Sequence, residues 1–263
     1  MNSELSYASQ PQSEAPTDAP KPQNHFSRLS GVFFSPGETF QEIGRAPRLL
    51  IPMLLLAILA GVTNFLIVHR IGYENVVRKE MEPVVKAGWI PAEQAEQQIQ
   101  LQITGTRAII GKIQRPVTAG VGFLVVLLIV AGVFKLFTML TGTTNRFKPL
   151  LSVICYAYLA IAIIHLSIIV ITIYLKNPDE IDMYNPVSSN LGAVLTVAGA
   201  GLPKFITALA GWVDVFGIWR IVLLGIGCAA VTPKMKSGTA AIPHIVLYCI
   251  AALLFSAMAA MFS

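Results

Sequence analysis

Four ionisable side chains interrupt otherwise apolar stretches: Lys135, His165, Asp214 and Arg220. A charge in apolar surroundings is costly, so such groups mark ion or substrate paths, proton relays, or polar clamps between helices. Asp214 and Arg220 are six residues apart, about 600° of rotation and roughly 9 Å of rise on one helix, so they do not pair with each other. Each needs a partner elsewhere: Lys176, Arg115 or Arg70 for Asp214, and His165 or the carbonyls beside Gly217 for Arg220. A structural clamp is favoured over an ion site, because one acid without a second at comparable depth coordinates a cation poorly. For His165, a neutral imidazole bonded to a neighbouring helix is favoured over a relay, which needs further partners. Lys135 lies five residues before the end of its stretch and is long enough to snorkel to headgroups.

Other chemistry has no anchor. The chain contains no HExxH, GxSxG or Walker loop, so neither hydrolytic nor phosphoryl-transfer activity is expected and the chain is not read as an enzyme. Gly225-Ile226-Gly227-Cys228-Ala229-Ala230 fits a dinucleotide pattern only superficially, because no strand precedes it. Gly225 with Ala229, Ala57 with Gly61, and the row Ala252, Ser256, Ala260 make better sense as close-packing faces, inside the molecule first and between copies second. Cys155, Cys228 and Cys249 form no CxxC pair and read as small buried hydrophobes. No cofactor or metal is expected.

The surroundings of these residues identify their solvent. Of 263 residues, 54% are hydrophobic and only 13% charged, with mean hydropathy +0.66. A water-soluble domain carries roughly 25% charged residues. Half that supply cannot cover a surface in water, so the chain is integral to a membrane, with the lipid bilayer as its first partner. The net charge of +5 reflects topology and headgroups rather than nucleic acid.

An apolar run of about 20 residues crosses the hydrocarbon core. Five spans are expected, near 49–68, 117–140, 150–175, 208–231 and 242–262, forming an all-α five-helix bundle. Residues 1–25, rich in Pro, Ser and Gln, form a disordered polar tail. In 26–48, Ser35-Pro36-Gly37-Glu38 has the pattern of a capping box. The helix it starts would lie in the headgroup plane, anchored by Phe33, Phe34, Pro36 and Phe40. Residues 69–116 repeat Val and Ile at helical spacing around Gly88-Trp89-Ile90-Pro91, which predicts an extramembrane helical hairpin. Residues 186–201, short and rich in Gly, Ala and Ser, are interfacial or re-entrant, with a sixth span as the alternative.

The loop charges set an orientation. The short loops 141–149 and 232–241 are basic without an acid, and short loops weigh most, so the N-terminus is expected inside and the C-terminus outside.

Two stretches resemble a known family. Phe33-Phe34-Ser35-Pro36-Gly37-Glu38-Thr39-Phe40, with Pro47 and Pro52, is similar to the opening F-x-x-P-x-x-x-F segment of bacterial Yip1-domain proteins. Trp212-Val213-Asp214-Val215-Phe216-Gly217-Ile218-Trp219, followed by Leu223, Leu224, Gly225 and Ile226, resembles the D-x-F-x-I/L-W stretch that opens their fourth span. The resemblance covers about residues 26–262 and implies a multi-span helical protein with a cytoplasmic N-terminus. Eukaryotic members bind Rab GTPases and shape vesicle traffic, whereas bacterial members have no settled activity. The charged hairpin 69–116 departs from the eukaryotic pattern and points to a bacterial inner membrane. The expected function is that of a non-catalytic adaptor, scaffold or membrane organiser, with unidentified protein partners or further copies of itself. The alternative is a transporter or channel component that uses Asp214 and Arg220.

Overall fold

The computed structural model describes residues 24–181, 186–187, 189–199 and 201–261. The expected disordered tail lies outside them except for Asn24 and His25. Among the described residues the chain is all-helical, apart from one isolated bridge between Asn190 and Asp214.

Among the described residues two short helices come first: α1 (His25–Phe34) and α2 (Pro36–Arg45). Asn24 caps α1 by accepting from the Ser27 N–H at 2.7 Å. Ser35 stands between them, its N–H bonded to Gly31 and Pro36 opening α2 after it. The expected capping box does not form, because the Ser35 side chain makes no capping hydrogen bond. Nor does this segment simply lie among headgroups. Val32, Phe40 and Ile43 are fully buried in the main core, against Leu150, Ile154 and Leu223.

Among the described residues four helices are long and apolar enough to cross a membrane: α3 (Leu50–Ile71), α6 (Gly105–Leu140), α7 (Phe147–Leu175) and α11 (Ser237–Met261). Their outward faces expose Leu54, Phe65, Val125, Leu128, Ile171 and Leu254. A water-soluble monomer does not leave so many large apolar side chains uncovered, and lipid covers them. The protein is therefore an all-α integral membrane protein. α7 is its axis: from Leu150 to Ala157 every residue is buried.

The region expected as one span at 208–231 is two helices instead, α9 (Lys204–Ala210) and α10 (Val215–Ala230). The 16 residues of α10 reach about 24 Å, short of the roughly 30 Å hydrocarbon core. The chain breaks where Asp214 takes an extended conformation that caps α10. Upstream, α8 (Leu191–Val197) has seven residues and cannot be a sixth span.

Between the first two long helices, α4 (Tyr73–Lys86) and α5 (Ala92–Ile103) fold back on each other. Arg78 ties them, bonding Glu74 on its own helix and both carboxylate oxygens of Glu96 on α5. α6 begins at Gly105, twelve residues before the expected 117, and continues through Pro116. Beyond this end of the bundle, Arg70 donates to the carbonyls of Ile173 and Lys176, closing α3 onto the end of α7.

Candidate functional site

The three intramembrane candidates converge where α7, α10 and α11 meet. Asp214 is the N-cap of α10, its Oδ1 accepting from the Gly217 N–H at 2.8 Å. Its other oxygen accepts from the Tyr248 hydroxyl of α11 at 3.3 Å, and the same hydroxyl donates to the Trp212 carbonyl. No ion pair involves Asp214 among the described residues. The cations expected as partners are engaged elsewhere: Arg115 with Glu80, and Arg70 with the end of α7.

Arg220, about one and a half turns along α10, finds aromatic faces rather than His165 or a freed carbonyl. Its guanidinium lies 5.4 Å from the Tyr158 ring and 5.5 Å from the Tyr248 ring. Ring quadrupoles attract a cation, and the attraction grows when water is excluded. No carboxylate or carbonyl accepts from Arg220 among the described residues. His165 packs its ring against Phe216, 5.4 Å between centroids, and lies within electrostatic reach of both Asp214 and Arg220. Tyr248 is the hinge of the cluster, touching the acid with its hydroxyl and the cation with its ring.

The expected interfacial anchors divide. Phe34 is 86% exposed, Phe33 and Pro36 are half-buried, and Phe40 is fully buried. Phe40 is thus a core residue: a Cβ on Gly227 of α10 would come within 3.2 Å of its ring. Lys135 reaches past the end of its helix: its amine bonds the backbone and side-chain oxygens of Asn145, at 2.6 and 3.1 Å, in the loop beyond Leu140.

Sequence reasoning missed two polar sites. Cys228 and His244 are buried and share a hydrogen bond at 3.4 Å, with the His244 ring stacked on Phe134. The signal was available, since His244 lies just inside the expected fifth span. Arg28 is fully buried, bonded to Glu42 and to the Ala46 carbonyl, both at 2.8 Å, over the Tyr156 ring. His25, bonded to the Tyr156 hydroxyl, has its pKa lowered by burial and by the nearby Arg48 and Arg28 cations. Nothing in the 14-residue separation of Arg28 and Glu42 announces their pairing. Cys249, expected to be buried, is exposed.

The small-residue faces are internal. A Cβ on Gly120 of α6 would lie 2.7 Å from the Ala57 carbonyl oxygen, and one on Gly61 3.0 Å from that of Pro116. α3 and α6 therefore approach backbone to backbone. Gly225 faces Ser237 and Ala241 of α11, and Ala252 and Ser256 are buried in the molecule.

The family model of the Yip1 domain matches residues 30–260, nearly the whole chain. The chain belongs to the Yip1-domain family. No curated protein and no solved structure is significantly similar to it. The Yip1 match takes in both stretches that carry the resemblance, and the structure gives each a physical role. Pro36 and Phe40 set α2 and bury it in the core, while Asp214 starts α10. In this Yip1-domain chain those residues build the helical frame.

Proposed function

We propose that this Yip1-type membrane protein acts as a non-catalytic adaptor, scaffold or membrane organiser. The observation that carries the reading is the engagement of Asp214 and Arg220 in internal contacts. Asp214 caps a helix and Arg220 is held between two tyrosine rings. Groups used in this way hold α7, α10 and α11 together, and a rigid bundle presents its extramembrane surfaces to other proteins or to further copies. The proposed setting is a bacterial inner membrane, with five crossings counting α10, the N-terminus inside and the C-terminus outside.

One observation favours a second reading. Arg220 is half-buried with no carboxylate accepting from it among the described residues, and His165 lies within its electrostatic reach, features that an anion-conducting site would use. Reconstitution in proteoliposomes separates the two. A scaffold gives no flux of K⁺, Na⁺, Cl⁻ or protons above protein-free vesicles, and crosslinking in native membranes followed by mild-detergent purification recovers it in a defined assembly. A flux abolished by Arg220→Gln overturns the scaffold reading.

A further inference from the structure

At the end of the bundle where α6, α7, α10 and α11 all terminate, a groove of about 720 Å³ opens between α2, the α6–α7 loop and the α10–α11 loop. Arg45, Arg146 and Lys234 line it, one from each of these elements, and none of its lining residues is acidic. All three side chains are exposed, and none makes an ion pair among the described residues. We propose that this groove binds the phosphate of an anionic phospholipid headgroup.

The groove is built rather than accidental. The Asn145 side chain, held by Lys135, donates to Thr232 Oγ1 at 3.2 Å and so pins the two loops together. α2 is seated against them through Gly44, where a Cβ would come within 2.6 Å of Val231. The three cations are therefore carried on mutually fixed elements, and the ordering cost of bringing them together is largely met on folding. Lys234 stands at φ 61°, the one non-glycine residue in the left-handed region among those described. A lysine there is strained where a glycine would not be, a pattern found where a side chain is needed for function.

The chemistry and the position select the ligand. Two guanidinium forks and one ammonium match phosphate oxygens, the forks in bidentate fashion and the lysine as a point charge. The surrounding span ends, Leu140, Phe147, Ala230 and Ser237, mark the level where hydrocarbon gives way to headgroups. Met139, Leu140 and Phe147 are exposed there for acyl chains to cover. Ala229, Ala230 and Val231 give the groove an apolar wall beside its charges. A free anion would use the cations but not that wall. Basic pockets between membrane helices bind anionic headgroups in the same manner.

The test is titration of the full chain in neutral detergent with phosphatidylglycerol and with phosphatidylcholine, read by native mass spectrometry. Wild type should prefer phosphatidylglycerol, and Arg45→Gln/Arg146→Gln/Lys234→Gln should lose at least about tenfold of that preference. The control Arg107→Gln/Lys112→Gln/Lys204→Gln, with charges outside the groove, should keep it. Lys234→Gly guards against misfolding: it should weaken phosphatidylglycerol binding while holding or raising the melting midpoint, because it removes both cation and strain. Equal loss in both triple variants would reduce the effect to bulk charge and overturn the proposal. So would an unchanged preference in the groove variant. Displacement of the lipid by millimolar inorganic phosphate, with no preference between the two lipids, would make the groove a free-anion site instead. Binding of an acidic peptide that phosphatidylglycerol does not displace would make it a protein-docking site.

Discussion

Asp214 shows how a residue can be picked out from sequence and its role still be misjudged. Its standing as a candidate was legible, because ionisable residues stand out in an apolar run, whereas the cation partner expected for it does not appear among the described residues. Its role as a helix cap was missed, although Gly211 and Asp214, which separate α9 from α10, are residue types that stop and start helices. A clamp with a cation predicts that Asp214→Asn unfolds the bundle. A cap predicts otherwise: Asn accepts the Gly217 N–H as well as Asp does, whereas Ala cannot, at about 0.5–2 kcal/mol. Asp214→Asn should melt close to wild type in the same detergent and Asp214→Ala clearly below it. Arg28 and Glu42 make the opposite case, a cation with 0% of its side chain exposed and a carboxylate with 21%. Removing one partner leaves a buried charge uncompensated, at about 3 kcal/mol. Glu42→Gln should lower the melting midpoint and expose α1 to protease, and Arg28→Met/Glu42→Leu should recover most of the loss.

At the scale of elements, apolar length made α3, α7 and α11 legible to within a few residues. It failed where backbone geometry decides. α6 passes through Pro116 and extends twelve residues beyond the apolar run, since a proline removes one hydrogen bond without always ending a membrane helix. The contact between α3 and α6 depends on glycine at 120. Gly120→Leu must push back the Ala57 carbonyl, and overpacking of this kind costs typically about 1–3 kcal/mol. Gly122, one lipid-facing step away with no atom within 4 Å of an added Cβ, is the control: Gly122→Leu should melt as wild type. The α4–α5 pair depends on charge instead. Hydrogen bonds from Arg78, then from Gln100, bring the Glu96 pKa down from 4.5 to about 2. A carboxylate depressed in the folded state contributes stability above its unfolded pKa and loses that contribution as pH falls through the folded one. Between pH 4.5 and about 2 the two helices should therefore loosen, read as faster amide exchange in α5. A ¹³C carboxyl titration should place Glu96 near 2 in wild type and raise it in Arg78→Gln, where the Gln100 bond still holds it below 4.5.

For the whole molecule, the charges on the two sides nearly balance, so sequence alone left orientation to the weight given to short loops. The structure adds a reason for that weighting. Arg45, Arg48, Arg146, Lys148, Lys234 and Lys236 belong to segments that touch one another at one end of the bundle, through the Ser152 bond to the Arg48 carbonyl and the Asn145 bond to Thr232. The hairpin beyond α3 is also basic, but several of its cations are matched by acids: Arg78 by Glu74 and Glu96, Lys86 by Glu82, and Arg115 by Glu80. Acids carry little weight in the retention of Lys and Arg, so the expectation rests on the six cations gathered in and beside the short loops, which by that rule stay inside. With the buried Cys155 and Cys228 and the exposed Cys249 all replaced, single cysteines can report the two sides. In intact cells a membrane-impermeant thiol reagent should label Gln98→Cys on α5 and leave Thr143→Cys and Ser237→Cys unlabelled until the membrane is opened. Ser237 opens α11 and Thr143 follows α6, so the two positions report the same end through different loops. Labelling of both in intact cells, with Gln98→Cys protected, would invert the orientation and place the basic end outside. Labelling of Ser237→Cys but not Thr143→Cys would mean that the 16-residue α10 does not cross, leaving both ends of the chain on the same side.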